Sequence, residues 1–563
     1  MMFTYVTRSC LFCFFITLFG VPVFAQETAE ETLPIEMIEK AHQVLGLPFT
    51  AEERTLMAED LAEQRKSLAA LRKVSLENEV PPSLFFDPRA IVAPPAQKDA
   101  KPAWSDPGPV KRPENLEDLA FASVGTLAKL IETRKVTSLE LTELFIARLE
   151  KHGPTLKAVV TLTKARAREA ARRADAEIAA GKYRGPLHGM PYGAKDLYAV
   201  QGYPTTWGAK PYKDQVIDDT AEVVRRLDRA GAVLVAKLSL GALAWGDVWF
   251  DGMTRNPWDL EQGSSGSSAG SASAVAAGLV PFALGSETWG SIVSPSDTCG
   301  VTGLRPSFGA VSRAGAMALS WSMDKVGPMA RTVEDCAIVF ETIRGVDPMD
   351  PTTRSAPFPY RADLPMNKVT LGYVPAMFEG DGPEKDIDRK TLAHLRNLGV
   401  TLKPIELPNL PIREMAIILS AEAAAAFNDL TLSNRDDELV RQIRWAWPNA
   451  FRSARTIPAV EYIHANRIRT QVIQQMDRLL KGLDGYVAPS FEGDSLLLTN
   501  LTGHPCVVLP NGFAEANKPR SVSFIGQMDG EAKILAIARA YQNKIDAHKR
   551  RPPGFDPAKI VKN

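Results

Sequence analysis

Between about residue 30 and residue 78, apolar side chains recur at helical spacing. Met57, Leu61, Leu68 and Leu71 follow Thr50-Ala-Glu-Glu53, a capping-box pattern in which a threonine hydroxyl and a glutamate carboxylate satisfy the free N–H groups of a helix start. The periodicity then stops. From Pro81 to Pro113 the chain carries nine of its 41 prolines in 33 residues. A residue without an N–H and with a fixed φ suits neither helix nor central strand, so this stretch is predicted to be an extended connector lying on the surface, anchored by Phe85, Phe86 and Trp104. Beyond Leu119 helical patterns alternate with short apolar runs. Thr137-Ser-Leu-Glu140 caps a helix carrying Leu141, Phe145, Ile146 and Leu149, and an Ala/Arg-rich helix follows at 162–180. Met190-Pro-Tyr-Gly-Ala-Lys195 comes next, then a capped helix near 218–230. Ala232-Val-Leu-Val-Ala236 has the length and β-branching of a buried strand. Val369–Val374, Gly485–Ala488 and Cys506–Leu509 are further strand candidates. Such alternation predicts an α/β fold with helices packed on a mixed sheet.

The N-terminus departs from this pattern. Arg8 precedes an apolar run from Leu11 to Phe19, with Val23 and Ala25 at the −3 and −1 positions of a cleavage site. The run is well short of the ~20 residues of a spanning helix, so residues 1–25 read as a secretory signal and the protein as secreted or periplasmic. Cys10-Leu-Phe-Cys13 resembles a redox motif but leaves with the signal. Cys299, Cys336 and Cys506 remain, too widely spaced for a metal set. They read as buried free thiols, with one disulfide as an alternative in an oxidising compartment. The seven histidines are scattered, so no metal and no cofactor are predicted. Over the 563 residues, 66 Lys+Arg balance 66 Asp+Glu. The zero net charge removes the simplest argument for a nucleic-acid or acidic-membrane partner.

The most unusual stretch is Gly263-Ser-Ser-Gly-Ser-Ser-Ala-Gly-Ser-Ala-Ser-Ala274. A flexible linker fits it poorly, because it runs straight into Val275–Leu284, an apolar segment that must be buried, and then into a second Gly/Ser turn, Gly285–Ile292. Gly266-Ser-Ser268-Ala-Gly270 also matches the G-x-S-x-G nucleophile elbow, which requires a buried strand immediately before it; Asn256–Gln262 is turn-like and polar.

Taken together, Gly189-Met-Pro-Tyr-Gly-Ala-Lys-Asp196, Asn256-Pro-Trp258, Gly266–Ser271, Gly285–Ile292, Cys299-Gly-Val-Thr-Gly-Leu-Arg-Pro306, Gly309, Asn500-Leu-Thr-Gly-His-Pro505 and Gly512-Phe513 resemble the amidase signature family over roughly 116–545. The resemblance implies a three-layer α/β/α fold with a central mixed sheet, here preceded by a helical N-terminal extension. The expected division is a signal at 1–25, a helical extension with its Pro-rich connector at 26–114 and an amidase domain at 115–563. It also implies a Ser–Ser–Lys triad of Lys195, Ser267 and Ser291, whose two serines lie 24 positions apart, as in the family. A cis peptide is implied at Gly266–Ser267, with Ser268 and Ser271 in structural roles. The chemistry accounts for these residue types. A serine hydroxyl needs a base, and lysine, with a reference pKa near ~10.4, becomes one only if burial lowers that value. The backbone N–H groups of Thr288, Trp289 and Gly290, with that of Ser291, are the implied oxyanion donors.

Two departures from the family pattern stand out. Glu287-Thr-Trp289-Gly-Ser291 replaces Asp-x-Gly-Gly-Ser, and a tryptophan in a position needing positive φ would be strained. Val293 occupies a position where arginine is common, with Asp297 nearby where a small residue is usual. Gly241, Trp289 and Val293 are the substrate-binding candidates. Trp245, Trp249 and Phe250 read as either core or an entry channel. The expected function is hydrolysis of a carboxamide C–N bond, other than a peptide bond, in a small-molecule amide through an acyl-enzyme, without nucleic acid or a stable membrane span. Two alternatives stand beside it: a non-catalytic ligand-binding member of the fold, and a component of a tRNA-dependent amidotransferase.

Overall fold

A computed structural model describes residues 32–47, separate positions between 50 and 65, Asn78, 84–94, 96–514 and 517–557. The expected signal at 1–25 lies outside the described residues, as do Leu68 and Leu71. The chain divides into two compact units between Leu76 and Glu77. The first contains a helix, Ile35–Leu45, which ends at Gly46 in the left-handed conformation. Helical positions follow between Ala51 and Arg65, where the Thr50 capping pattern and the Met57–Leu61 spacing predict them.

The second unit is organised by one mixed sheet. Its strands are β1 (Val159–Leu162), β2 (Pro191–Lys195), β3 (Val233–Leu238), β8 (Phe282–Glu287), β9 (Thr302–Arg305), β10 (Lys325–Ala330), β11 (Thr370–Tyr373), β12 (Thr401–Pro404), β13 (Gly485–Pro489), β14 (Cys506–Phe513) and β15 (Pro519–Gly526). The spatial order is β1-β3-β2-β8-β10-β9-β14-β15-β13-β11-β12. Between β3 and β8 the chain forms two short ribbons, β4 (Val248–Trp249) with β5 (Gly252–Met253) and β6 (Arg255–Asn256) with β7 (Asp259–Gly263). Within the sheet β3, β2 and β8 run parallel to one another, whereas β1 and β10 flank them antiparallel.

Both faces of the sheet are covered. Along β3, Val233 and Val235 enter one apolar core and Leu234 the other, which is why the strand reads as an unbroken apolar run. The helix Ser138–Leu156, closed by the predicted capping box of Thr137 and Glu140, and the helix Lys164–Ala179 contribute to the first of these cores. The helices Val333–Ile343 and Glu531–Ile545 contribute to the second. Cys299, Cys336 and Cys506 are buried and unpaired with one another. No described helix is long and apolar enough to cross a membrane.

The described part of the Pro-rich connector belongs to this second unit and lies on it as an irregular segment, broken by a 3-10 turn at Pro88–Ala90 and bridged to Arg361 at Ala103. Phe86 packs edge-on against Phe308 at 5.1 Å, and the Arg469 guanidinium stacks on its face. Trp104 lies against Tyr360 at 5.1 Å. Arg89 makes a two-pronged bond to Asp529 at 2.7 and 2.6 Å. Phe85 corrects the sequence expectation. It is exposed, because successive side chains of an extended chain point to opposite sides and Phe86 has taken the inner one. The Arg89–Asp529 pair is nearly buried, so Arg89→Ala strands a carboxylate away from water. That substitution is expected to lower stability by about 3 kcal/mol in denaturant titration, whereas Phe85→Ala is expected to leave the midpoint unchanged.

Candidate active site

The parallel trio β3-β2-β8 opens its C-terminal ends on one edge, the position where α/β sheets commonly place reacting groups. Lys195 is the last residue of β2, and Ser286 and Glu287 end β8. The Gly/Ser tract enters between them. It is no linker: Ser264 N–H donates to the Thr254 carbonyl, Ser265 N–H donates to Asp247 Oδ2, and the eight residues Ala269–Ala276 form a fully buried helix. The Gly266–Ser267 peptide is cis. Gly266 is required by space alone, since a Cβ there would fall 1.8 Å from the Gly246 carbonyl oxygen. Nor does the tract form an elbow. The ribbon strand β7 before it is mostly exposed, and the Ser268 hydroxyl is donated to the Ser286 carbonyl at 3.0 Å. Ser271 Oγ donates to the Leu284 carbonyl, tying the helix to β8.

Lys195 is 0% exposed. Its Nζ lies 2.8 Å from Ser267 Oγ, 2.9 Å from Ser286 Oγ and 3.2 Å from Ser268 Oγ. None of these neighbours is a carboxylate. Burial therefore dominates and pulls the ammonium pKa down from 10.5 to about 7, against the more distant opposing charges of Asp324 and Glu287. Lys237 on β3 is equally buried and burial lowers its pKa as well, but there the Asp196 carboxylate at 2.7 Å opposes the shift directly, and Thr206 donates to Asp196 Oδ2.

Ser291 follows β8 in a tight turn and is 9% exposed; its carbonyl accepts the Ser268 N–H at 3.1 Å. The backbone N–H groups of Trp289, Gly290 and Ser291 donate to no described residue, while the next two are taken: Ile292 and Val293 donate to Glu287 Oε2 at 2.8 and 2.9 Å. The positive φ that the turn needs falls on Gly290 (+85°) and not on Trp289, so the tryptophan carries no backbone strain. Trp289 is 45% exposed at the rim.

Glu287 holds this turn. Besides the two N–H groups it accepts Arg305 Nη1 at 2.9 Å and Asn500 Nδ2 at 2.8 Å through Oε1. Burial alone would push its carboxyl up, but Arg305, the Val293 N–H and Asn500 outweigh burial and leave it below the ordinary value. Thr288 is fixed from the other side by its hydroxyl bond to Asp324 Oδ1 at 2.6 Å, while Asp324 Oδ2 accepts the N–H groups of Leu319 and Ser320.

Lys195, Ser267 and the turn of Thr288, Trp289, Gly290 and Ser291 thus meet at one edge of the sheet. Gly241 is buried beneath this edge, where a Cβ would meet the Trp245 and Gly246 carbonyls at 2.1 Å, so it admits a close backbone approach. Val293 is fully buried in the apolar core with its N–H on Glu287, which places its side chain away from the surface. Trp249 is buried against Phe250, and Trp245 lies under the Arg441 guanidinium. Asp297 accepts the Ser521 N–H and is a packing contact to β15. Sequence reading missed Ser286, Asp324 and the role of Glu287. Glu287 carried a signal as a departure from the family pattern, and Ser286, Arg305 and Asn500 lay inside the quoted motifs without being singled out; Asp324 carried none.

Residues 140–501 match the family profile described as Amidase. The chain is 33% identical over 485 residues to a glutamyl-tRNA(Gln) amidotransferase subunit from Dechloromonas aromatica, covering 77% of this chain and 99% of that one. It is 35% identical over 470 residues to the same subunit from a Roseiflexus species, covering 74% and 95%. Among solved structures, native peptide amidase from Stenotrophomonas maltophilia superposes with a TM-score of 0.69 at 30% identity, over 78% of this chain and all of that one.

The Glu287–Arg305 pair is completely buried, so removing one partner leaves an uncompensated charge. Arg305→Met is expected to cost about 3–5 kcal/mol in a denaturant titration, and Arg305→Lys, which keeps the charge but loses the fork, less.

Proposed function

The chain belongs to the amidase family, and we propose that it is a serine amidase acting through an acyl-enzyme on Ser291, with Lys195 as base and Ser267 as proton relay. The observation that carries this reading is a buried lysine whose near side-chain neighbours are three serine hydroxyls and no carboxylate, at the end of a strand beside a turn whose N–H groups donate to no described residue. A lysine held by a carboxylate stays charged. One held by hydroxyls in a dry site can be neutral near pH 7 and accept a proton.

In the proposed reaction Ser291 Oγ attacks the amide carbonyl, its proton passes to Ser267 Oγ, and the Ser267 proton passes to Lys195 Nζ. The carbonyl oxygen becomes an oxyanion and takes N–H bonds from the turn of Thr288, Trp289, Gly290 and Ser291, each worth ~10²–10³ in rate in comparable sites. Collapse of the intermediate breaks the C–N bond, and the leaving amine takes the proton back from Lys195 by the same route. Water then attacks the ester, is deprotonated by the same relay, and releases a carboxylic acid and Ser291. The C–N bond cleaved is that of a linear carboxamide other than a peptide bond. Removal of a leader after Ala25 and action outside the cytosol are part of the same reading. A second reading, a component of an assembly working on charged tRNA, is favoured by the curated relatives, which are amidotransferase subunits.

A fluorophosphonate probe is expected to label Ser291, located by peptide mass spectrometry. Labelling at Ser268 would overturn Ser291 as the nucleophile, and no labelling together with thermal stabilisation by amides would favour a non-catalytic binder. Because the base works only when neutral, kcat/KM is expected to be lost as pH falls through about 7 and to level off above it. Lys195→Ala is expected to lower kcat by about 10²–10⁴-fold, and an unchanged rate would remove Lys195 from the role of base. Hydrolysis of aliphatic, aromatic, peptidyl, glutamine and carbamate amides by the purified chain alone separates an autonomous amidase from a component that needs partners. N-terminal sequencing of the native protein is expected to begin at Gln26; an intact Met1 in the cytosol would overturn secretion.

A further inference from the structure

Lys195 Nζ has four oxygen neighbours, and a neutral amine has only two N–H groups and one lone pair. For the lysine to act as a base, that lone pair must face one particular hydroxyl. The proton of Ser268 is already committed: Ser268 Oγ donates to the Ser286 carbonyl at 3.0 Å while accepting the Ser286 N–H at 3.1 Å. Towards Lys195, at 3.2 Å, Ser268 can therefore only accept. The Ser286 carbonyl, at 3.5 Å, is an acceptor by nature and too distant to fix the amine. Two hydroxyls remain, Ser267 at 2.8 Å and Ser286 at 2.9 Å, and neither gives its proton to another described residue. They compete for the one lone pair. Their surroundings differ. Ser267 is 1% exposed, so its proton is shut in with Lys195, whereas Ser286 is partly exposed and can turn its proton outward to water.

We propose that Ser286 is a positioning residue for the base: its Oγ accepts one N–H of Lys195, Ser268 Oγ accepts the other, and the lone pair is thereby turned onto the Ser267 hydroxyl. This rests on Lys195 being the base in the reaction proposed above. The backbone suits the task. Ser286 stands on β8 in register with Val326 of β10, and β8 lies beside β2, which carries Lys195, so its hydroxyl is placed by a sheet. When the relay delivers its proton, the resulting ammonium has three N–H groups for three hydroxyl oxygens. Only the Ser267–Lys195 bond reverses its polarity; the bonds to Ser286 and Ser268 stay as they are, so the proton moves without rearrangement of the site.

Ser286→Ala and Ser286→Thr in the full-length protein test this. Ser286→Ala is expected to lower kcat by about 10-fold or more with KM within about twofold, because Ser286 acts on the base and not on the substrate. The acid limb of its kcat/KM profile is expected to move to lower pH, since the ammonium loses one of three acceptors and is weakened more than the amine. Ser286→Thr, which keeps the hydroxyl, is expected to restore kcat to within about threefold and return the limb to its wild-type place. Should Ser286→Ala fail to fold, Ser286→Cys, which keeps the volume and weakens the acceptor, carries the same test. Wild-type kcat in Ser286→Ala, or a loss with an unmoved limb and no rescue by threonine, would overturn the inference. If the wild type is labelled at Ser291 and depends on Lys195 while Ser286→Ala is indistinguishable from it, the inference alone fails. If the wild type is not labelled at Ser291, the parent reading fails first.

Discussion

A carboxylate buried at the end of β8 organises the reacting edge of this protein. Glu287 accepts two backbone N–H groups, one arm of Arg305 and the amide of Asn500, so one side chain fixes the turn after β8, the end of β9 and the helix Ser495–Thr502. An ionised carboxylate without water is tolerable only when its lone pairs are occupied, and here they are. Because the N–H groups of Ile292 and Val293 are taken, the chain turns at Gly290 and leaves those of Trp289, Gly290 and Ser291 without acceptors among the described residues. Glu287 reaches across β10 to Arg305 at the end of β9, and Val293, whose N–H it accepts, is buried beside it.

The edge also divides its polar groups into two kinds. Asp196 with Lys237 and Glu287 with Arg305 are buried ions that neutralise each other and hold strands in place. Lys195 has no carboxylate in contact, so burial lowers its pKa to about 7 with only the more distant Asp324 and Glu287 opposing it. A carboxylate brought within contact would stabilise the ammonium and remove the base. In this geometry reactivity depends on what the surrounding strands withhold from Lys195 as much as on what they supply.

Much of this could be read from the chain. Lys195, Ser267 and Ser291 stand in ordered motifs, and β3, β11, β13 and β14 are visible as short apolar runs. β10 was not, because Lys325-Val-Gly-Pro-Met-Ala330 mixes a lysine, a glycine and a proline in a buried strand. The glycine is there because a Cβ on Gly327 would come within 1.9 Å of the Leu304 carbonyl, a constraint visible only once the strands are adjacent. Phe85 and Phe86 looked equivalent in sequence, and only the side facing the sheet separates them. Ser286 sits in an ordinary-looking Gly-Ser pair. Its importance arises from three segments meeting at Lys195 Nζ, which periodicity does not record.

Lys195 and Ser291, with Ser267 and Ser286 between them, fall within 97 consecutive residues of the 563. The far edge of the sheet, β13, β11 and β12, comes from chain well downstream, and from that half of the chain Asn500, on the helix Ser495–Thr502, reaches Glu287. Reacting groups and most of the outer fold are therefore written in separate stretches of the gene. Substitutions on surfaces built from the downstream stretch can therefore leave the neighbours of Lys195 untouched, provided buried contacts such as that of Asn500 to Glu287 persist.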